Sequence, residues 1–353
     1  MKRHFGLTFS LLSTLLCTQV IAGAAGEISG MKGVSTLGWT VHHGDPDEEK
    51  VEKSLSKTVP ALMEKHQYAA LDSLAESLRS KKQYARGRTA ISIFYEQLDL
   101  PESATEEDWN TRLKDLNQWW TQYPDSKTAP AALVDYWAAY AWRARGSGYA
   151  DTVSADGWKV FSERLTQGAQ VFEKAKAQKS VCPKLYSFAQ RIALGQGWDR
   201  AQYDKLVNEA VKKFPGRCDY YFHQVYYLQP RWHGGETEWA DYAGKLADRV
   251  GGADGDKLYA RLAWSILSYG LYDNIMTEFP NLKWSRIDKG FQAILAEYPD
   301  SISTQNIRLR FAILANQKAL AKQLLTKLGK NIDIQTWQKK VYFFKTRAAL
   351  LSK

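Results

Sequence analysis

The residues best suited to metal or nucleophilic chemistry in this chain are six histidines and three cysteines. His42, His43, Asp45 and Asp47 form the one local group with metal-ligand chemistry. A structural zinc site needs four converging ligands, and adjacent histidines in a Gly-containing segment do not supply them by spacing alone. We therefore assign no metal there. The spacings of a phosphate loop (GxxxxGK[ST]), a zinc helix (HExxH), a nucleophile elbow (GxSxG) and a CxxC pair do not occur. No catalytic residue and no cofactor is assigned. The acids beside aromatic segments are Asp135, Glu236, Glu238 and Asp241. Glycoside hydrolysis needs two carboxylates across a cleft, and spacing does not say which of these could pair.

Basic and aromatic side chains carry more information. Arg79, Lys81, Lys82, Arg86 and Arg88 crowd one short stretch. It suits either an anionic ligand or a solvated helix end, where cations favour the C-terminal dipole. Thirteen Trp and nineteen Tyr are many for 353 residues. At helical spacing most must fill the space between helices. Arg143 and Arg145 flank the end of the helix that carries Trp142, just before Gly146, and Arg231 and Trp232 sit beside Pro230 and Gly234, with Trp239 close behind. Arg and Trp on Gly-containing connections are the chemistry of interface hot spots. Arg143, Arg145, Arg231, Trp232 and Trp239 are therefore the candidate binding residues. The structural alternative has Trp232 pinning a loop to the core.

These side chains need elements to position them, and one short stretch marks those elements. QYPDS at 122–126 returns as EYPDS at 297–301 and, more weakly, as KFPGR at 213–217. Upstream of the first copy, Trp109, Leu113, Leu116 and Trp120 share one face of a helix. Proline cannot donate to the helix and disfavours helical geometry at the residue before it. The spacing predicts a helix ending near Tyr123 and a new one ending near Gly146. A further break is expected at Pro183, which stands 32 residues before Pro215. The turn-rich stretch at 251–257 is expected to supply one more. Such a period fits helix-pair repeats. The fold class read from this pattern is all-α. It is a degenerate, tetratricopeptide-like array over residues 48–353, built as a solenoid or a compact multi-helix domain. Residues 25–47, rich in Gly and polar residues, read as an irregular lead-in.

Lys2 and Arg3, an apolar run and Ala22-Gly23-Ala24 read as a signal peptide over residues 1–24. Removing it loses Lys2 and Arg3 and no acidic residue, so the formal charge falls from +10 to +8. Leu16 before Cys17 is too large for lipidation. No later stretch is apolar enough to span a membrane. The expected location is the periplasm, which makes nucleic acid an unsuitable partner. Cys182 and Cys218 remain after cleavage, both near expected helix starts. In an oxidising compartment they are a candidate disulfide.

Four stretches, LDSLAESLRSKKQYARGRTAISIFYEQL, YAWRARGSGYADTV, ALGQGWDRAQYDKL and LQPRWHGG, taken in order, resemble a family of bacterial proteins known as a domain of unknown function. The resemblance covers the chain from about Leu71 onward. It implies a tetratricopeptide-like helical architecture and often export, and it assigns no reaction. The expected function is an exported non-enzymatic binding or scaffold protein, with a protein or peptide as partner and polysaccharide as the alternative ligand. Two other readings stay open: a carbohydrate-active α/α-toroid enzyme, and an immunity or inhibitor protein. Sequence leaves the oligomeric state unspecified.

Overall fold

The computed structural model describes residues 38–146, 148, 150–338 and 340–351. The expected signal peptide and most of the lead-in lie outside the described residues. The rest is all-α apart from two three-residue strands. Among the described residues no helix is long and apolar enough to cross a membrane.

The chain forms two compact units where sequence suggested one array. The first contains residues 52–82 and 89–227; the second contains 38–51, 83–88 and 228–353. Helix α1, Pro46–Glu64, belongs to both.

The first unit continues with α2 (Tyr68–Arg79), α3 (Ala90–Glu96), α4 (Glu106–Gln122), α5 (Thr128–Arg145) and α6 (Ala155–Lys176). It closes with α7 (Lys184–Gly195), α8 (Arg200–Lys213) and α9 (Asp219–Tyr227). The start of α4 is fixed by a capping box, in which Thr105 accepts from the Asp108 amide and Asp108 accepts from the Thr105 amide. Gly146, at φ +72°, ends α5. The second helix of each pair is the more buried. α5 packs on α4, α6 and α7 together. Its alanines, among them Ala131, Ala132, Ala138 and Ala139, let all three approach.

The second unit contains β1 (Thr40–His42), α10 (Glu238–Val250), α11 (Gly252–Ser268), the single turn α12 (Ile275–Glu278), α13 (Trp284–Glu297) and α14 (Ile302–Leu314). It ends with α15 (Lys318–Leu328), β2 (Asn331–Asp333), α16 (Ile334–Trp337) and α17 (Lys340–Leu351). β1 and β2 pair in parallel, Thr40 opposite Asn331. Strands this short leave no alternation in the sequence. The 251–257 stretch is not a turn. Gly251 alone joins two helices, and α11 begins at Gly252. Residues 83–88 are held within this unit: Tyr298 donates to the Gln83 carbonyl at 2.8 Å and Arg261 to that of Ala85 at 3.0 Å.

The aromatic–Pro turns share one backbone. Tyr123, Phe214 and Tyr298 have φ between −125° and −132° and ψ between 68° and 72°. Each amide donates to the carbonyl four residues earlier, and each carbonyl accepts from the amide three residues later. Phe279-Pro280, not recognised from sequence, is a further copy with φ −124° and ψ 83°. Exchanging Pro299 for alanine should therefore leave α13 and α14 in place, because buried faces sustain them. A stability loss of about 1 kcal/mol or less in urea denaturation is expected, through the freer unfolded chain. Loss of helical circular dichroism would contradict this.

Candidate functional site

The first copy of the turn feeds α5, and the end of α5 gathers cations over aromatic rings. Arg143 lies 5.8 Å from the centre of the Trp109 ring. Arg145 sits between Trp142 at 5.6 Å and Trp158 at 5.5 Å. Arg164 of α6 lies 3.2 Å over Tyr140. Stacked guanidiniums gain quadrupole attraction of roughly 0.5–1 kcal/mol each at exposed sites.

One acid ties two of these arginines together. Glu106, in the first turn of α4, accepts from Arg143 at 2.6 Å, from Arg164 at 2.6 Å and from the Tyr140 hydroxyl. Those bonds, Tyr140's first, hold its carboxyl below the usual range. Burial, then the bond to Glu106, pushes the Tyr140 hydroxyl up to about 12. Arg143 also donates to the Ala104 carbonyl at 3.1 Å, and Arg145 to that of Gly148 at 2.9 Å. Trp158 is 38% exposed. The face thus carries three guanidiniums, two of which share the Glu106 carboxylate, with an exposed indole beside them. Such a face can take up carboxylates of an extended ligand and cover their apolar neighbours.

The other predicted binding residues lie in the second unit. Arg231 is exposed and stacks 5.5 Å from the Trp232 ring, which is half-buried. Their loop folds tightly back: the Trp232 and Gly234 amides both donate to the Gln229 carbonyl. A Cβ on Gly234 would fall 1.8 Å from the Leu228 carbonyl oxygen, so glycine is obligatory there. Trp239 is completely buried in α10, edge-on to Phe279 at 4.9 Å. That position serves the core rather than a surface.

The basic stretch is divided. Arg86 and Arg88 donate to Glu48 at 3.2 and 3.0 Å, and Glu48 is buried. Arg79 lies in the first unit, donating to Glu76 and to Thr128. Of the candidate metal group, His42 bonds the Asn331 side chain at 3.0 Å, and Asp45 accepts from Ser301 and from the Ser303 amide. The expected Cys182–Cys218 bridge is not formed. Cys182 is buried ahead of α7 with its sulfur turned to Tyr95 of α3, whose hydroxyl donates to it at 3.3 Å. Cys218 is half-buried ahead of α9.

Asp135 does find a second carboxylate. It pairs with Arg191 of α7, and Asp99, in the turn after α3, faces the same cavity. Burial, then repulsion from Asp135, raises the Asp99 carboxyl well above the usual range. Burial also raises that of Asp135, against the attraction of Arg191 and Lys184. The cavity between them has a volume of about 10 Å³, close to that of a single water. No sugar ring fits there. Glu236, Glu238 and Asp241 belong to the second unit. Glu238 accepts from the Gly235 amide, and Asp241 from Thr237 and Asn281.

Sequence inspection found Arg143 and Arg145 by their setting before a glycine. It missed Glu106, Tyr140 and Arg164, which meet only when α4, α5 and α6 stack. The acid directly after the Thr105 cap was the available signal.

No curated protein and no solved structure matches the chain. A family model matches about a third of it, within little more than the first half, and Glu106, Arg143, Arg145, Trp158 and Arg164 all fall inside that segment. Residues 56–180 match the domain of unknown function DUF4034.

Proposed function

We propose that this is an exported, non-enzymatic binding or scaffold protein that presents the cationic, aromatic end of α5 and α6 to an acidic, extended peptide segment of a partner protein. The observation that carries the reading is the set of three arginines held on aromatic rings at one end of α5 and α6. Arg143, Arg145 and Arg164 stand over Trp109, Trp142, Trp158 and Tyr140, with Glu106 as the shared counterion of Arg143 and Arg164. Arginines stacked in this way are pre-organised, so less side-chain entropy is lost when they bind. The hydrolase reading draws on Asp99 and Asp135, the acid pair such chemistry requires. The cavity they share is too small for a glycan, which favours the binding reading.

Fluorescence anisotropy with Glu-rich, neutral and Lys-rich peptides tests this. The Glu-rich peptide should bind best, and more weakly as salt rises. The Arg143→Ala/Arg145→Ala variant should bind at least about tenfold more weakly. Its melting temperature should shift little, since exposed ion pairs contribute only about 0–1 kcal/mol. Equal binding by the variant, or preference for the neutral peptide, would overturn the proposal.

A further inference from the structure

The two YPDS turns are an internal control on each other. Each ends a helix with the same backbone, and in each the serine is held by an aspartate from elsewhere. Ser126 donates to Asp72 at 2.6 Å, and Ser301 donates to Asp45 at 2.7 Å. In the second unit the turn is tied off completely: the Tyr298 hydroxyl donates to the Gln83 carbonyl, and Asp45 is buried. In the first unit the equivalent tyrosine is left over. Tyr123 is 39% exposed, and its hydroxyl makes no hydrogen bond among the described residues. The turn itself therefore does not require an exposed ring at this position.

Tyr123 stands at the edge of a groove of about 530 Å³ along α2, within the size range of small-ligand sites. Its ring is a fixed platform. It packs edge-on against Tyr68 at 6.5 Å, and Tyr68 stacks on fully buried Trp119 at 5.8 Å. Asp72, which also lines the groove, is equally fixed: its two oxygens accept from the Trp119 indole at 3.0 Å and from Ser126. Glu76 is clasped by Arg79 and by Lys127. Gln122, Asp125 and Ser73 complete the polar lining.

Glu76 already holds both cations of the groove, Arg79 and Lys127, while Asp72 accepts only from neutral donors. An anionic ligand would have to displace Glu76 from Arg79 and Lys127. A cationic one would meet Arg79 and Lys127 of the same lining, although Asp72, bonded only by the Trp119 indole and Ser126, keeps free lone pairs. A neutral ligand rich in hydroxyls meets neither obstacle. It can donate to the remaining lone pairs of fixed carboxylates, accept from Gln122 and lay an apolar C–H face on the Tyr123 ring. We propose that the groove formed by α2 and the turn at 122–127 binds a neutral saccharide, with one pyranose ring stacked on Tyr123. This site is separate from the cationic face and does not depend on it.

The test is isothermal titration of the mature chain with tetrasaccharides of β-1,4-linked N-acetylglucosamine, β-1,4-linked glucose and α-1,4-linked glucose. Concentrations should reach about 10 mM, where a site of millimolar affinity is mostly filled. At least one should bind. Tyr123→Phe should keep that binding, since the ring remains, and Tyr123→Ala should lose it at least tenfold with helical circular dichroism unchanged. Tyr298→Ala should not alter it. Silence of all three glycans, equal binding by Tyr123→Ala, or loss of binding only in Tyr298→Ala would overturn the proposal. So would binding of a Lys-rich peptide in the groove with no glycan response. Arg143→Ala should leave glycan binding intact, so this result stands apart from that on the acidic peptide.

Discussion

Gly290→Ala should destabilise the protein by about 3 kcal/mol, although alanine is the better helix former by roughly 1 kcal/mol. Gly290 lies at the crossing of α13 with α11, the most extensive helix contact of the second unit. A Cβ there would sit 2.1 Å from the Asp256 carbonyl oxygen and 2.7 Å from the Ala260 Cβ. The first neighbour is backbone, so no rotamer change relieves the overlap and the two helices must part. Parting them strips contacts from Ile287, Phe291 and Ile294, all buried on the same face of α13. Gly244 of α10 is the control: a Cβ there meets nothing within 4 Å. Gly244→Ala should gain about 0.5–1 kcal/mol from helix propensity. Urea midpoints of the two variants should move in opposite directions. A stable Gly290→Ala protein would show that the crossing yields more easily than close packing allows.

Removing Arg191 should cost about 3–5 kcal/mol at neutral pH, because it strands the Asp135 carboxylate in the interior. Asp99 stands close enough to repel it. The methionine variant, Arg191→Met, keeps the volume and isolates the charge. Replacing both members, Arg191→Met with Asp135→Leu, should recover most of the loss, since no buried charge is then left unpaired. The pH dependence follows from direction. Both carboxyls have native pKa values above those of the unfolded chain. Their cost is absent below the unfolded carboxylate range, grows as pH rises toward the native values, and is complete above them. Without Arg191 the native value for Asp135 rises further. The deficit of Arg191→Met should therefore shrink when denaturation is repeated at lower pH. A deficit independent of pH would mean that lost packing, not stranded charge, is its cause.

What sequence revealed here was local. The aromatic–Pro turn and the glycine after α5 each act through neighbours within a few residues, and each is in place. Phe279-Pro280 escaped because α12 is a single turn and offers no apolar periodicity upstream. Trp239 read as a loop residue because it follows two glycines, yet it faces the core of α10. The two-unit division escaped for a different reason. Residues 83–88 join the second unit through Tyr298 and Arg261, partners about two hundred residues away, and no periodicity records that. The cationic face was half visible. Arg143 and Arg145 stand out beside Gly146, whereas Arg164 sits in an ordinary helix until stacking brings it over Tyr140.

The pairing of β1 with β2 bears on how the chain can reach this state. Thr40 lies opposite Asn331 and its amide donates to the Lys330 carbonyl at 2.8 Å, partners separated by most of the described chain. The first unit is nearly continuous in sequence and rich in contacts between successive helices, so it can form as soon as its residues emerge. The second must wait. Its first strand is made early and stays unmatched, with ladder donors and acceptors open, until residues 331–333 arrive. Closing so long a loop costs only logarithmically more entropy than a short one, but it places assembly of the second unit last. A chain stopped short of Asn331 would hold a finished first unit and a β1 left without its partner strand, the form most prone to self-association and to proteolysis.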